Sequence, residues 1–299
     1  LPTFPERRLQ HVREVIANEY RDYWHDPDAK FYNNLARMRF ADFPYVMQNS
    51  LGPLEHIMNF SVEDVRDWYS SYYNPANFIV TISGNIDEDI ILKELETTFG
   101  KEIKKNEVSY PKPQGVQAQP FELLYDDQDR EQVQFVLSVP TFGFKQRSED
   151  ERLVLNGLGV LLGNGQLSRL YQALREKRNL VYRVSCSSNY YFDRGYISIR
   201  GMCHSDAVVQ VYTVIAEELQ KVLDGGFTED ELETSKIQGL SSLVMASDSY
   251  HYVAEHIASD LRWDDPVVLT TDLIEKIKKI SLSVIEKAAK EFLDFSKAH

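Results

Sequence analysis

An arginine and a tyrosine, Arg175 and Tyr182, lie seven residues apart in a segment that joins a predicted helix to a predicted strand. Both side chains donate hydrogen bonds, so they are candidates for contacts with an oxygen of a bound molecule. The pattern alone also permits ordinary roles. Tyr182 alternates with Leu180 and Val184 as a core tyrosine would, and Arg175 is placed for a surface ion pair with a nearby glutamate.

A carboxylate near the start of the chain, Glu19, is a second candidate for chemistry. It lies in a predicted helix over residues 5–23, at the edge of an apolar stripe with three-and-four spacing. The stripe consists of Leu9, Val12, Ile16, Tyr20 and Tyr23. Because an unpaired buried charge is costly, a carboxylate on this face requires a partner. A metal ion would serve, and so would an ion pair with Arg21 or a side chain that reaches water.

The composition indicates a globular protein, with 43% hydrophobic and 26% charged residues and no apolar run long enough to cross a membrane. A length of 299 residues favours two domains. The net charge of -13 argues against nucleic-acid partners, which require clustered lysine and arginine. Cys186 and Cys203 permit a disulfide, but two lone cysteines are more typical of buried thiols in a reducing compartment, which favours a cytoplasmic location.

Residues 1–100 are predicted to form one α/β lobe. After the first helix, Ser61 is placed to cap a helix that ends near Tyr73, with acidic residues in its first turn. A β-branched strand at residues 78–84 and a helix at residues 87–99 follow. The order helix, strand, helix is typical of an open α/β arrangement.

A proline-containing stretch at residues 101–119 is the predicted linker to a second lobe over residues 120–299. In this lobe, Thr228 and Glu231 have the spacing of a capping box at the start of one of three or four final helices. The earlier predicted elements are strands at 121–125 and 133–139, helices at 148–162 and 167–177, and a hairpin of 180–190 with 196–202.

The segment around Arg175 resembles the signature SRLxxxLREKxGLxY of the pitrilysin/insulinase family of zinc metallopeptidases, the inverted zincins. Other landmarks of that family follow in order along almost the whole chain. They are Gly52–Ile57, Ser61–Asp64, Tyr72–Phe78, Gly84–Asp87, Glu131–Gln132, Leu162–Gly165 and Gly226–Leu232. Their order and spacing together carry the resemblance.

The resemblance implies an α/β (α+β) fold of two lobes, each a sheet flanked by helices. Residues 1–100 would be the C-terminal part of the metal-binding lobe, which is expected to be incomplete, and residues 120–299 the non-metal lobe that contacts substrate. Peptides would be hydrolysed by water activated at Zn²⁺, with Glu19 as one metal ligand. Arg175 and Tyr182 would be the catalytic side chains that donate hydrogen bonds to the substrate backbone and to the developing oxyanion. The glycine of the signature is expected at Val181.

The zinc signature His-x-x-Glu-His does not occur in this sequence. A missing N-terminal segment or a partner subunit would have to supply it, and the chain alone is expected to bind zinc poorly and to be inactive. A dimer is also compatible with the resemblance. An alternative is a non-catalytic scaffold or substrate-presenting subunit of a peptidase-like heterodimer, favoured by Val12 at a position where many active members have glutamate. An unrelated α/β binding module would require the landmarks to be coincidental.

Overall fold

A computed structural model describes residues 2–40, 51–100, 131–294 and 298. The chain divides into two compact units. The first unit comprises Leu1–Gln117 with Ala254–Arg262, and the second comprises Ala118–Val253 with Trp263–His299. The predicted linker and the predicted strand at residues 121–125 lie outside the described residues. Within the described part, no helix is long and apolar enough to span a membrane.

The described part of the first unit is helical. Its helices are α1 (Glu6–His25), α2 (Pro27–Phe40), α3 (Leu54–Asn59), α4 (Val62–Tyr72) and α5 (Glu88–Thr98), and a 3-10 turn covers Pro75–Asn77. The predicted first helix is confirmed. Asp26 separates α1 from α2, which begins with a proline whose missing N–H costs nothing in a first helical turn.

Side-chain caps explain where α4 and α5 begin. Ser61 Oγ accepts a hydrogen bond from the Asp64 amide at 3.0 Å, and the Asp64 carboxylate accepts one from the Ser61 amide at 2.8 Å. The Ser61 hydroxyl and the Ser61 amide both donate to the Asp64 carboxylate, and these two hydrogen bonds lower the pKa of Asp64 below its usual value. Asp87 Oδ1 accepts from the Ile90 amide at 3.1 Å and caps α5 in the same manner. Both predicted helices are therefore confirmed.

The prediction of a strand at residues 78–84 is wrong. This segment carries no strand pairing with any described residue, although Phe78 is extended with φ -98° and ψ 137°. Phe78, Val80 and Ile82 are exposed. The β-branched composition favours an extended backbone, but a strand also needs a neighbour for its N–H and C=O groups. No described segment of the first unit provides that neighbour.

The second unit contains a three-stranded antiparallel sheet in its described part, with strand order β1-β3-β2. The strands are β1 (Gln132–Thr141), β2 (Val181–Tyr190) and β3 (Gly195–His204), which confirms the predicted strand at 133–139 and the predicted hairpin. Between β1 and β2 lie α6 (Glu149–Gly163) and a short helix α7 (Arg169–Tyr171) that continues as a π-helical turn, Gln172–Glu176.

Five helices follow the sheet in the described residues, rather than the three or four predicted. They are α8 (Val208–Leu223), α9 (Glu229–Ser247), α10 (Tyr250–Arg262), α11 (Thr270–Lys279) and α12 (Leu282–Phe292). The capping box predicted at the start of α9 is confirmed: Thr228 Oγ1 accepts from the Glu231 amide at 3.2 Å, and Glu231 accepts from the Thr228 amide at 2.8 Å.

One face of the sheet forms the core of the second unit with residues of α6 to α8 and α12. Its buried side chains are Leu137, Val139, Val184, Cys186, Ile197, Ile199 and Cys203. Helix α6 approaches β2 so closely that a Cβ atom on Gly163 would lie 2.7 Å from the Cβ atom of Cys186. Both cysteines are buried free thiols, and burial raises the pKa of Cys186 to about 12. The cytoplasmic location inferred from them stays a prediction.

A buried ion pair joins the start of α6 to the segment that follows α10. Arg152 donates hydrogen bonds to the Asp265 carboxylate and, at 2.8 Å, to the Phe144 carbonyl, and its guanidinium lies 3.8 Å from the Phe144 ring centroid. Lys145 Nζ lies 3.0 Å from the same carboxylate. Burial raises the pKa of Asp265, but hydrogen bonds and charges from Lys145 and Arg152 outweigh it and lower that pKa overall.

We expect Asp265→Asn to lower the free energy of unfolding at pH 7 by about 2 kcal/mol, because it leaves the Arg152 guanidinium without its counter-charge. A carboxylate with a lowered pKa stabilises the fold above its unfolded pKa of about 4 and loses that contribution as pH falls through the folded value. The difference between wild type and variant should therefore shrink below about pH 4. Urea unfolding at pH 7 and pH 3 measures both effects.

Asp264→Asn is the matched control, since it removes the same charge from an exposed neighbour. Its effect on the free energy of unfolding should stay within about 0.5 kcal/mol. Equal losses in the two variants at pH 7, or a loss in Asp265→Asn that is the same at both pH values, would contradict the role given to the buried pair.

Candidate functional site

Tyr182 occupies an irregularity in the β2 strand. Val181 pairs with Cys203 and Arg183 pairs with Met202, so β2 has one extra residue between two successive residues of β3. This β-bulge changes which side chains face the core. Val181 is 2% exposed whereas Tyr182 is 52% exposed. The interpretation of Tyr182 as a core residue, which strict strand alternation favoured, is therefore wrong.

Arg175 holds the turn that leads into this bulge. Its Nη1 atom donates a hydrogen bond of 2.9 Å to the Val181 carbonyl and one of 3.1 Å to Asn179 Oδ1. The carbonyl that it binds belongs to the residue directly before Tyr182, so the structure brings Arg175 and Tyr182 to the same turn. An ion pair of Arg175 with a glutamate, the ordinary alternative, is not among the contacts of the described residues.

The turn also requires a left-handed residue, and that residue is Asn179, with φ 53°. Counted from Arg175, the glycine of the signature falls on Asn179, so its expected placement at Val181 is wrong: Val181 lies within β2. Asparagine is, after glycine, among the residues that best tolerate this conformation. Sequence reasoning missed Asn179, although the signature quoted for this segment already marked its position.

We expect Asn179→Ala to lower the free energy of unfolding by about 1–2 kcal/mol, because an alanine Cβ disfavours positive φ. Asn179→Gly loses the same hydrogen bond to Arg175 but keeps the backbone conformation at little cost. Chemical denaturation of the two variants side by side separates backbone strain from the lost hydrogen bond. Equal stability of the alanine and glycine variants would show that the left-handed conformation is not required.

Glu19 lies on α1 in the first unit, where it is exposed. Its predicted place beside a buried stripe is wrong: Ala17 is the buried residue of α1, and Val12 is itself exposed. The ion pair with Arg21 is not observed, since Arg21 donates to Asn18 Oδ1 at 2.6 Å. Across the described ranges, no group of three His, Cys, Asp or Glu side chains is placed to hold a metal ion.

A protein-family model matches this chain and includes the segment that contains Arg175 and Tyr182. The model of the Peptidase M16 inactive domain matches residues 59–238, which is more than half of the chain and includes Arg175 and Tyr182. The chain belongs to the M16 peptidase family. The resemblance to zinc metallopeptidases of this family is therefore confirmed at the level of the family.

Relatives of the M16 chain are named as zinc proteases. One from Rickettsia bellii, named an uncharacterized zinc protease, is 25% identical over 296 residues, or 98% of this chain and 69% of the relative. The uncharacterized zinc protease YmxG from Bacillus subtilis is 28% identical over 249 residues, or 83% of this chain. The match spans 58% of the Bacillus relative, so the chain corresponds to only part of such a protein.

Solved structures confirm the fold. A protease from Helicobacter pylori superposes with a TM-score of 0.84 at 20% identity, covering 98% of this chain and 71% of that one. A chain of Complex III2 from Candida albicans superposes with a TM-score of 0.76 at 17% identity, covering 94% of this chain and 67% of that one. At these identities the likeness concerns the fold only.

Proposed function

We propose that this M16 chain supplies substrate-contacting residues of a zinc-dependent peptidase that hydrolyses peptides or small proteins. The observation that carries the proposal is the bulge in β2, which leaves the Tyr182 side chain half exposed where regular pairing would place it on the core face. A bulge that re-aims one side chain is common next to active sites. The names of the relatives support the reaction class, and the matched segment contains Tyr182.

In the proposed reaction, the Tyr182 hydroxyl donates a hydrogen bond to the carbonyl oxygen of the scissile peptide as negative charge develops there. Arg175 holds the backbone next to Tyr182 through the Val181 carbonyl, so it limits the freedom of the phenol. The described hydrogen bonds of Arg175 use Nη1 only. Because a guanidinium has five N–H donors, Nε and Nη2 can also bind substrate oxygen. Arg175 would thus have both a positioning and a catalytic role.

Zinc is the expected cofactor, and Glu19 is its proposed ligand in this chain. An exposed carboxylate without a hydrogen bond or ion pair to any described residue has oxygen lone pairs available for a cation. One carboxylate is not a zinc site, so the remaining ligands must come from a segment or partner subunit that the described residues do not include. When bound, zinc would activate the attacking water and polarise the carbonyl.

We expect Tyr182→Phe to lower kcat for peptide cleavage by the full-length natural protein about 100-fold, because the donor to the oxyanion is lost. KM should change little, because this hydrogen bond forms mainly in the transition state, and the unfolding midpoint should change little, because the Tyr182 side chain is half exposed. Tyr212→Phe on α8 removes a hydroxyl from another half-exposed tyrosine and should leave kcat unchanged. Cleavage of a fluorogenic peptide provides the measurement, and equal kcat for both variants would contradict the role of Tyr182.

For the metal, we expect Glu19→Gln to lower the zinc affinity of the full-length natural protein by about 100-fold, because a neutral amide replaces an anionic ligand. Glu14→Gln removes another exposed carboxylate from α1 and should leave the affinity unchanged. Elemental analysis after dialysis against graded chelator concentrations measures this directly. Unchanged zinc retention in Glu19→Gln would exclude Glu19 as a ligand without bearing on Tyr182.

A second candidate function is that of a non-catalytic scaffold or substrate-presenting subunit. One observation favours it. Arg175 donates hydrogen bonds within its own turn, and these bonds alone would give the residue a structural role. The fold likeness to a chain of Complex III2 is compatible with this function. A full-length protein that binds peptides but neither retains zinc nor cleaves them would favour the scaffold over the peptidase.

A further inference from the structure

The sheet of the second unit has two chemically different faces. The residues that alternate with its core positions form a second face, here called the polar face. In β1 they are Gln134, Val136, Ser138 and Pro140; in β2 Arg183, Ser185, Ser187 and Asn189; in β3 Tyr196, Ser198, Arg200 and Met202. No aspartate or glutamate occurs at these strand positions, although the whole chain has a net charge of -13.

Two arginines on the polar face have no carboxylate partner among the described residues. Arg183 is exposed and makes no hydrogen bond or ion pair there. Arg200 is half-buried, and its Nη2 atom donates to Ser187 Oγ at 3.0 Å. Arg183 pairs with Met202, so Arg183 and Arg200 are diagonal neighbours on one face, about 7–8 Å apart along the backbone and within reach of long side chains. Two arginine side chains on such neighbouring positions can bind one anionic group together.

Most other described arginines of the second unit bind acidic side chains. Arg147 pairs with Glu151 and Glu291, Arg152 with Asp265, Arg169 with Glu231, and Arg194 with Asp193. Arg175 and Arg178 instead donate to backbone carbonyls. Arg183 and Arg200 differ from all of these, because neither donates to a carboxylate or a backbone carbonyl of a described residue. Because neighbouring like charges repel, an anion bound by both side chains would be electrostatically favourable.

A polar group on the same face is also unsatisfied. Ser198 is 1% exposed, and its Oγ atom has no hydrogen-bond partner in the described part of the chain. It lies opposite Ser187, the residue that accepts from Arg200. Buried hydroxyls normally have a partner, so the Ser198 hydroxyl retains unused hydrogen-bonding capacity beneath the two arginines.

The polar face begins at the bulge. Arg183 directly follows Tyr182, the residue proposed to contact the scissile peptide. We propose that Arg183 and Arg200 bind a carboxylate of the peptide substrate and make this protein selective for acidic peptides. The proposal rests on the proposed function, because it assigns the substrate class of the same site. Guanidinium and carboxylate groups have matching geometry and form charge-assisted hydrogen bonds.

The test measures binding without cleavage, so that it stays informative if the protein is not a peptidase. A fluorescein-labelled, C-terminally amidated peptide with one central Asp is titrated with the 299-residue chain, and the same peptide with Asn serves as the reference. Anisotropy should show roughly tenfold tighter binding of the Asp peptide at low salt and a smaller preference at high salt. A third peptide with Asn and a free C-terminal carboxylate tests whether a chain end is bound instead.

The double variant Arg183→Gln, Arg200→Gln should bind both peptides with the affinity that wild type has for the Asn peptide. A matched control with equal charge loss pairs Lys287→Gln with Lys290→Gln, two exposed lysines of α12, and should keep the tenfold preference. Absence of any carboxylate preference in wild type would overturn the proposal, as would a preference that survives in the double arginine variant. An equal loss of the preference in the lysine control would show that net charge causes the preference, and it would also overturn the proposal.

Discussion

The extra residue in β2 is the constraint on which the candidate site depends. With regular pairing, Tyr182 would lie opposite Cys203 on the core face, because Arg183 already pairs with Met202. The bulge lets Val181 take the buried position instead and moves the phenol outwards. Arg183 keeps its pairing with Met202, so it and every second residue after it lie on the polar face. The inserted residue thus decides which side chain, next to those charges, could reach a substrate.

Charge pairing elsewhere in the second unit shows why unpaired arginines are informative. Glu231 caps α9 through the Thr228 amide and also binds Arg169, with 2.6 Å between Nη2 and Oε2. One carboxylate therefore satisfies a helix end and a guanidinium at once. Asp265 likewise serves Arg152 and Lys145. In the described part of this unit, Arg183 and Arg200 donate to neither a carboxylate nor a backbone carbonyl, and electrostatics relates this difference to an anionic ligand.

In the first unit, local sequence preference predicts helices better than it predicts strands. Helices α1, α4 and α5 form where caps and apolar spacing predict them, since a helix satisfies its backbone groups within one segment, whereas α2 and α3 were not predicted. The segment that begins at Phe78 has an equally clear strand preference but no described neighbour with which to pair. The prediction for Glu19 failed for the same reason. The helix α1 is present, but burial of its apolar stripe requires other elements to pack against it, and α1 is mostly exposed.

The sequence by itself determined the family, the positions of several helices and the hairpin, and it marked Arg175 and Tyr182 as candidate site residues. These features depend on short-range spacing, on capping residues such as Thr228, and on a signature that can be compared directly. Tertiary structure decided the exposure of Tyr182 and the placement of Arg183 as a diagonal neighbour of Arg200. Each of these depends on strand register, and register is set by the partner strand, so no pattern within β2 alone reveals it.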